Sequence, residues 1–411
     1  MSIIDSDTSK LIELRKEVGR FSLYVEGERY YIKGAGGTDY LPELVACGGN
    51  TLRTWHCEQT DEILDEAGDL GLLVCAGLDL APARQGFDYR NPLLVEEQNA
   101  RMLEYVAKRK DHPAIMMWGV GNELELNFED DGVWDVVEDL AERIKKIDPT
   151  HLLMTVVAAV NKEVIETIAQ RCPSIDVLGI NAYKALDEVA PRLRETSWSK
   201  PYIVTEWGGD GAWEVASTHW GAEIEPPSMF KAEKRMSRYA KMQTESRLCL
   251  GSFAFLWGQK QEVTPTWYNI FDEKGRPFEC MNAMRLLWGG EDTGTHWPRI
   301  EEIQVNGFLA EDELEVEASS VLEARIRFAG LGSGSLDLSW ELMEESQDKR
   351  EGGDAQSTPK RFQVEPLEET FGSITFKAPS VEGGYRIFAY AICDRARVAA
   401  ANFPFWVKER K

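Results

Sequence analysis

Positive charge is scarce in this chain. Its 411 residues carry 46 Lys and Arg against 70 Asp and Glu, which gives a formal net charge of −24. Phosphate binding requires a basic face, so this balance argues against a nucleic-acid partner. An uncharged ligand such as a neutral glycan is not repelled by it. Most of the surface carboxylates are expected to serve solubility alone.

Cysteine and histidine are also few. The five His are separate from one another, and the seven Cys are scattered and odd in number. Their spacing predicts free thiols in the core and matches neither a disulfide framework nor a zinc site. We therefore expect no metal and no cofactor. The cysteines are Cys47, Cys57, Cys75, Cys172, Cys249, Cys280 and Cys393.

Long apolar runs are missing as well. No segment approaches the roughly 18 apolar residues of a membrane span, so no membrane partner is expected. Residues 1–8 are polar and lack the apolar stretch of a secretory signal. The expected location is the cytoplasm, or a secreted or periplasmic one for a chain trimmed of its signal peptide. The sequence gives no oligomeric state.

Short apolar segments alternate with helical patterns from about residue 19 to residue 289. A hairpin over residues 21–32 is followed by eight strand–helix units, the rhythm of a (β/α)8 barrel. A doubly wound sheet is the competing fold, but Gly34-Ala-Gly-Gly37 does not complete its phosphate-binding turn. The predicted barrel strands are residues 31–37, 51–56, 72–78, 115–119, 152–157, 177–183, 202–205 and 252–257.

The pattern changes to period two after residue 298. Eight short alternating segments between residues 300 and 407 predict strands, and residues 344–360 are polar and predict a loop. This rhythm is typical of an immunoglobulin-like β-sandwich, although the Cys…Trp…Cys framework of antibody domains is missing. The predicted domains are therefore a catalytic barrel with its N-terminal hairpin (residues 1–290) and a sandwich (residues 297–411).

Two glutamates end two of the predicted barrel strands. Glu123 closes Ala-Ile-Met-Met-Trp-Gly-Val-Gly-Asn-Glu (residues 114–123), and Glu206 closes Pro-Tyr-Ile-Val-Thr-Glu (residues 201–206). Side chains at the carboxyl ends of barrel strands point into the mouth where such enzymes keep their chemistry. These glutamates belong to the fourth and seventh strands, which lie roughly opposite each other. They predict the paired carboxyl groups of a glycosidase.

Cleavage of a glycosidic bond uses the two carboxyl groups differently. One protonates the leaving oxygen, so burial or negative neighbours should raise its pKa. The other stays ionised and attacks the anomeric carbon. A separation of about 5–5.5 Å predicts retention of configuration, whereas about 9 Å would predict inversion.

Longer motifs surround both glutamates. The segments Trp-Gly-Val-Gly-Asn-Glu (residues 118–123) and Thr-Glu-Trp-Gly (residues 205–208) resemble the paired motifs of clan A glycoside hydrolases. The nearest pattern is that of family 2, which includes β-galactosidases, β-glucuronidases and β-mannosidases. Gly-Asn-Thr-Leu-Arg-Thr-Trp-His (residues 49–56) and residues 64–74 extend the resemblance. A barrel followed directly by a sandwich also resembles a small family of endo-β-1,3-glucanases.

The resemblance implies roles for residues at the matching positions. Glu123 would be the acid/base and Glu206 the nucleophile. Asn122 would hold the sugar 2-hydroxyl, and Arg53 would pair with the nucleophile. Arg53 fits this role because a fixed guanidinium favours the ionised form of a carboxylate. Two further residues follow in the same way: Tyr183 would donate a hydrogen bond to the nucleophile, and Trp257 would form the floor of the sugar site.

Other candidates come from positions near the predicted strand ends. His56 would either contact substrate or form hydrogen bonds in a second layer behind it. Asn181 would either contact substrate or satisfy buried backbone groups inside the barrel. Trp207 follows the nucleophile and departs from the family pattern, in which an aromatic residue such as Tyr is more familiar; it is a further candidate for substrate contact. Long loops at this face often line the cleft, so three more aromatic residues are candidate sugar platforms or local packing residues: Trp213, Trp220 and Trp267. Glu125, two residues past Glu123, is expected to be a solvated loop charge, with an upward effect on the pKa of Glu123 as the alternative.

Together these features predict a retaining β-glycosidase. The expected substrate is a neutral β-linked glucan or oligosaccharide. A transglycosylase, in which an acceptor sugar replaces water, is a related alternative. A non-catalytic glycan-binding protein is the alternative from another class, but the intact pair of glutamates argues against it.

Overall fold

The computed structural model describes residues 11–57, 60–127, 130, 132–244, 247–291 and 296–410. Residues 1–8, which carry the expectation about location, and part of the connector over residues 289–298 lie outside these ranges. The chain divides into two compact units. We call Met1–Trp207 with Arg238–Trp257 the barrel unit, and Gly208–Ser237 with Gly258–Lys411 the sheet unit. This division follows compactness and differs from the boundary predicted at residue 290, which stays a prediction.

A small antiparallel sheet precedes the barrel. Its strands are β1 (Ile12–Glu17), β2 (Arg20–Val25) and β3 (Glu28–Tyr30). Ile12 and Leu23 pack in one apolar cluster with residues at the starts of the barrel strands, including Ile32, Leu73 and Leu250. The hairpin therefore covers the N-terminal end of the barrel and leaves the other end for the site.

Eight parallel strands close into a barrel in which each strand pairs with its two neighbours. The predicted (β/α)8 barrel is confirmed, and closure excludes the open doubly wound sheet. Most strand residues are buried on both faces, as their near-continuous apolar sequences predict. The strands are β4 (Ile32–Gly36), β5 (Thr51–Arg53), β6 (Leu73–Leu78), β7 (Ile115–Asn122), β8 (Leu152–Val157), β9 (Val177–Asn181), β10 (Tyr202–Trp207) and β11 (Cys249–Ala254).

Helices connect these strands. In α4 the buried residues Val133, Val137, Leu140 and Ile144 recur with helical spacing, which places one apolar stripe against the barrel. The helix α3 begins where the Asn91 side chain accepts from two backbone N–H groups. The helices are α1 (Leu41–Ala46), α2 (Thr60–Asp69), α3 (Pro92–Arg109), α4 (Gly132–Ile147), α5 (Lys162–Arg171), α6 (Val189–Leu193) and α7 (Ser228–Thr244), of which α7 contributes residues to both units.

The sheet unit contains a helix and two sheets. Side chains from both sheets, including Ile300, Phe376, Ile387 and Phe403, form one apolar cluster. The sheets have the strand orders β12-β14-β18-β17 and β13-β20-β19-β15-β16. The elements are α8 (Glu279–Leu287), β12 (Pro298–Val305), β13 (Glu315–Glu317), β14 (Val321–Leu331), β15 (Leu336–Glu344), β16 (Arg361–Phe362), β17 (Glu368–Thr370), β18 (Ser373–Lys377), β19 (Gly383–Cys393) and β20 (Arg397–Lys408).

The seven cysteines are buried and keep their thiols outside disulfide bonds, as their spacing predicted. Among the described residues, no helix has both the length and the hydropathy needed to span a membrane.

Candidate active site

Glu123 directly follows β7 at the carboxyl end of the barrel. The chain turns there at Gly121, whose φ of +81° is one that a residue with a Cβ rarely adopts. A Cβ at Gly121 would also come within 2.6 Å of the Leu124 side chain. Glu123 itself has a φ of 51°, and its N–H donates to the carbonyl of Val156 at 2.9 Å. This turn directs the Glu123 side chain toward the neighbouring strand ends.

The surroundings of Glu123 favour its neutral form. Burial raises the pKa of Glu123 to about 8, and the negative charge of Glu206 acts in the same direction. Asn181 opposes this by donating from Nδ2 to Glu123 Oε1 at 2.7 Å. Glu125 adds a smaller upward effect and Arg84 a smaller downward one. A carboxyl group with these neighbours keeps a proton at neutral pH.

The surroundings of Glu206 supply three hydrogen-bond donors. Its Oε1 accepts from Nη1 of Arg53 and from Nε1 of Trp55, each at 2.9 Å. Its Oε2 accepts from the hydroxyl of Tyr183 at 3.0 Å. The guanidinium of Arg53 is almost fully buried, so water screens this ion pair little. Three donors, one of them cationic, therefore stabilise a negative charge on Glu206.

A continuous chain of hydrogen bonds links the two glutamates. Asn181 Nδ2 lies 2.7 Å from Glu123 Oε1 and 3.3 Å from Asn122 Oδ1. Arg53 Nη2 donates to that same Asn122 oxygen at 2.7 Å while its Nη1 donates to Glu206. Asn122 Oδ1 thus accepts two donors. The chain fixes the rotamers of both carboxyl groups.

Three aromatic rings stand beside Glu206. The ring of Phe255 meets the rings of Trp55 and Tyr183 edge-on, with centroid distances of 5.7 and 6.1 Å. Trp55 and Tyr183 both donate to Glu206, so the apolar wall and the anionic group belong to one site. Such a wall suits the apolar face of a sugar ring.

The arrangement places a buried carboxyl group with a raised pKa, Glu123, near a second carboxyl group, Glu206, that accepts from three donors. Glycoside cleavage uses two carboxyl groups that differ in their surroundings in this way. The structure brings together six of the predicted site residues: Glu123, Glu206, Arg53, Asn122, Asn181 and Tyr183.

Two other predictions within the barrel unit need correction. Trp207 and Trp257 have no exposed surface, so neither presents a ring face to a sugar. Trp207 packs on the ring of Tyr239, and the Trp257 indole N–H donates to the carbonyl of Tyr40 at 3.1 Å. The His56 side chain is 81% exposed, and its Nδ1 lies 2.9 Å from a carboxylate oxygen of Asp79. The contact with Asp79 fits the alternative of a hydrogen-bonded second layer, and substrate contact by His56 stays a prediction.

The remaining candidate tryptophans lie in the sheet unit. Trp267 is 3% exposed and donates to the carbonyl of Asp210 at 3.0 Å, so the prediction that it is a sugar platform is wrong. Trp220 packs on the rings of His219 and Trp406, which supports the alternative of local packing. Trp213 is 70% exposed, and sugar contact by it stays a prediction.

Sequence reasoning missed Trp55, Phe255 and Arg84. Trp55 had a signal: it lies two residues beyond Arg53 at a strand end, and alternate residues point to the same side. Phe255 could not be separated from Trp257 by this rule because both have the same parity. Arg84 lies in a 3-10 turn (Ala83–Gln85) outside any periodic pattern, and its Nη1 donates to the carbonyl of Glu123 at 2.9 Å.

The expectation that Glu125 is a solvated loop charge was wrong, and the alternative, an upward effect on the pKa of Glu123, is supported. Burial raises the pKa of Glu125, and its Oε1 accepts from the backbone N–H of Ala158 at 2.6 Å. Its Oε2 is buried and has no hydrogen-bond partner among the described residues. Glu125 is therefore a second buried carboxyl group near the acid/base. No group of His, Cys, Asp and Glu in the described ranges has the arrangement of a metal site.

Comparison with known proteins finds a matching family profile and several relatives. The profile of "Glycosyl hydrolases family 2, TIM barrel domain" matches residues 43–239, which include both glutamates. A β-glucuronidase of Paenibacillus borealis is 25% identical over 312 residues, covering 64% of this chain and 50% of that protein. The human β-glucuronidase is 26% identical over 206 residues, covering 46% of this chain and 29% of that protein. The chain thus spans half or less of the length of these relatives.

Solved structures share the fold. Bacteroides uniformis β-glucuronidase 2, covalently bound to cyclophellitol-6-carboxylate aziridine, has a TM-score of 0.53 and 15% identity. That match covers 97% of this chain and 48% of the other. A β-glucuronidase of Bifidobacterium dentium complexed with coumarin-3-O-glucuronide has a TM-score of 0.52 and 21% identity, covering 69% of this chain and 49% of the other. Its closed barrel, its paired glutamates and its match to the family profile over residues 43–239 make the barrel of this chain similar to that of glycosyl hydrolase family 2, a family of glycosidases.

Proposed function

We propose that this protein is a retaining β-glycosidase in which Glu206 is the nucleophile and Glu123 the acid/base. The observation that carries the proposal is the contrast between the two carboxyl groups. Three donors including Arg53 stabilise a charge on Glu206, whereas burial and the charge of Glu206 raise the pKa of Glu123. The same contrast separates nucleophile from acid in glycosidases generally.

The proposed reaction is a double displacement. A Glu206 oxygen forms a bond to the anomeric carbon while the bond from that carbon to the leaving oxygen breaks, and the Glu123 proton moves to the leaving oxygen. Glu123, now ionised, then takes a proton from water as the water oxygen attacks the same carbon. The bond to Glu206 breaks, and both carboxyl groups return to their starting states.

The proposed substrate is a β-linked hexuronide. Its support is that the relatives above are named β-glucuronidases. The neutral β-glucan expected from composition has no comparable support, because net charge describes the whole surface and does not determine the charges within a cleft. We also propose that the two sheets over residues 297–411 form an immunoglobulin-like sandwich, supported by their shared apolar cluster.

The test is a panel of aryl β-glycosides that differ only in the sugar: glucuronide, galacturonide, galactoside, glucoside and mannoside, with a β-1,3-glucan oligosaccharide. We expect the highest kcat/KM for a uronide and a β-configured first product by NMR. An α-configured first product would exclude retention. Highest activity on the glucan would return the substrate to the neutral class, and transfer to an added acceptor would indicate a transglycosylase. Binding without turnover of any compound would indicate a glycan-binding protein.

A further inference from the structure

We propose that Trp55 is a positioning residue for the nucleophile, and that it selects which oxygen of Glu206 attacks the anomeric carbon. The proposal rests on the proposed function of the glutamate pair. It concerns a residue that the resemblance to family 2 did not identify, and it starts from the unequal distribution of donors over the Glu206 carboxylate.

The three donors to the Glu206 carboxylate are shared unequally between its two oxygens. Oε1 accepts from the Arg53 guanidinium and from the Trp55 indole N–H, both at 2.9 Å. Within the part of the chain that the structure describes, Oε2 accepts from the Tyr183 hydroxyl alone, at 3.0 Å. A carboxylate oxygen offers about two lone-pair sites, so Oε1 is fully occupied and Oε2 retains one site. Oε2 is therefore the oxygen that can form the new bond to carbon.

The fold holds the Trp55 ring in one place. A Cβ at Gly36, the last residue of β4, would lie 2.7 Å from the ring atom Cη2, so this position has to be glycine for the ring to fit. The Arg53 guanidinium lies 4.9 Å from the ring centroid, and the edge contact with Phe255 covers another side. A ring held on these sides keeps its N–H aimed at Oε1.

The chemistry gives this N–H a role throughout the reaction. When Oε2 bonds to the anomeric carbon, Oε1 becomes the carbonyl oxygen of a glycosyl ester. Donors that already point at Oε1 then need no rearrangement, which is the advantage of a preorganised site. Without the Trp55 N–H, the carboxylate is held on Oε1 by Arg53 alone and can rotate about its terminal torsion. Attack through Oε2 should then become slower, while substrate binding changes little.

The experiment compares Trp55→Phe, which keeps a ring and removes the N–H, with Trp55→His, which retains a ring N–H donor. Two quantities are measured: kcat and KM on the best glycoside of the panel, and the rate of covalent labelling of Glu206 by its 2-deoxy-2-fluoro analogue. We expect Trp55→Phe to lower kcat and the labelling rate about 10- to 100-fold with a nearly unchanged KM, and Trp55→His to restore part of the loss. Trp198→Phe is the matched control, because Trp198 is a buried indole that donates to the carbonyl of Pro201.

Gly36→Ala provides an independent variant, because it displaces the ring and leaves Trp55 chemically intact. It should lower the labelling rate in the same direction. If Trp55→Phe labels Glu206 at the rate of the unmodified protein, the positioning role is wrong. If it raises KM and leaves kcat unchanged, Trp55 binds substrate uniformly and does not orient the nucleophile.

A readout without turnover separates this proposal from the proposed function. The indole N–H resonance of Trp55, assigned by its loss in Trp55→Phe, should shift strongly in Glu206→Gln. A resonance that does not move would exclude the contact. If the unmodified protein neither turns over nor labels with any glycoside, the double displacement and the choice of oxygen both fail, while this resonance still decides whether Trp55 orients Glu206.

Discussion

Each end of the barrel buries a carboxyl group near β7, and the pKa of the two groups is shifted in opposite directions. At the carboxyl end, Glu123 follows the strand, and its pKa is raised to about 8. At the other end, the β7 residue Trp118 donates from Nε1 to Asp148 at 2.7 Å. Asp148 is 1% exposed, so burial alone would raise its pKa too, yet its pKa is held well below the usual range.

The difference lies in the number and kind of donors. Asp148 also accepts from His151 Nδ1 at 2.8 Å and from the Thr150 hydroxyl at 2.8 Å, and the backbone N–H groups of both residues point at it. Glu123 accepts from Asn181 and has the negative charge of Glu206 nearby. Burial disfavours the ionised form at both ends, and the neighbouring donors and charges determine whether the pKa is raised or lowered.

This comparison separates two uses of a buried carboxyl group. Asp148 ties the loop between α4 and β8 to β7, and its hydrogen bonds are complete in the folded protein. Glu123 is left with a proton that it can give up. The hydrogen bonds of Asp148 therefore stabilise the N-terminal end of the barrel. The carboxyl end holds a buried group that is less favourable for stability, as active sites commonly do.

The largest effect is expected from changing the two glutamates at the carboxyl end of the barrel. Glu206→Gln and Glu123→Gln should each lower kcat/KM by about 10³-fold or more, because each removes a group that acts directly on the reacting bond. Both variants keep the size of the side chain, so the fold should be unchanged by circular dichroism and by urea unfolding. Asp148→Asn is the matched control for charge removal and should retain kcat in the folded fraction. Near-normal turnover in either glutamate variant would refute the proposed roles.

A smaller effect, on stability, is expected from changing Asp148 at the N-terminal end of the barrel. Asp148→Asn should lower the free energy of unfolding by about 2–4 kcal/mol, since the donors of Trp118, Thr150 and His151 lose a charged acceptor in a buried place. The measurement is urea unfolding at several pH values. The folded-state pKa of Asp148 is depressed, so its stabilisation is present above the unfolded-state value and is lost as pH falls through the folded-state value.

The same titration on Glu123→Gln should show the opposite sign. The folded-state pKa of Glu123 is raised, so the neutral carboxyl group is tolerated below about pH 4.5 and becomes a liability as pH rises toward about 8. The unmodified protein should therefore lose stability relative to Glu123→Gln over that range. A parallel pH dependence for the two variants would mean that the two ends of the barrel do not differ as described.

The barrel and the main contacts in the site could be predicted because they depend on local patterns. Eight apolar runs separated by helical segments fix the strand count, and the strand count places Glu123 and Glu206 at the mouth. Arg53 and Tyr183 could be assigned because their positions match a family motif next to strand ends. In each case the informative contact is set by the register of neighbouring parallel strands.

The errors concern side chains whose environment depends on distant parts of the chain. Trp257 and Trp267 carry the right residue type for a sugar platform, but burial is a tertiary property that a tryptophan's own sequence neighbours do not reveal. Glu125 was assigned to solvent because most loop carboxylates are solvated, and the contact with Ala158 of a different loop could not be foreseen. Arg84 reaches Glu123 from an irregular turn, where no periodicity indicates direction.

The smallest expected effect sharpens the comparison, because it tunes the acid/base without removing it. The acid must be protonated to act, so the alkaline limb of the kcat profile should follow the pKa of Glu123, which is about 8. Glu125→Gln removes a negative neighbour that raises this pKa, and the limb should move to lower pH. Arg84→Gln removes a positive neighbour that lowers it and keeps an amide able to donate to the Glu123 carbonyl, so the limb should move to higher pH.

The control for these two variants is Glu142→Gln, which removes one negative charge from an exposed position on α4. Its limb should stay in place, because an exposed charge is screened by water and salt. The informative result is the pair of opposite shifts, since a general disturbance of the site would move both limbs in the same direction. Equal shifts in the two variants would show that Glu125 and Arg84 act on Glu123 through packing. Opposite shifts would show that the charges around Glu123, and not burial alone, determine the pH at which it gives up its proton.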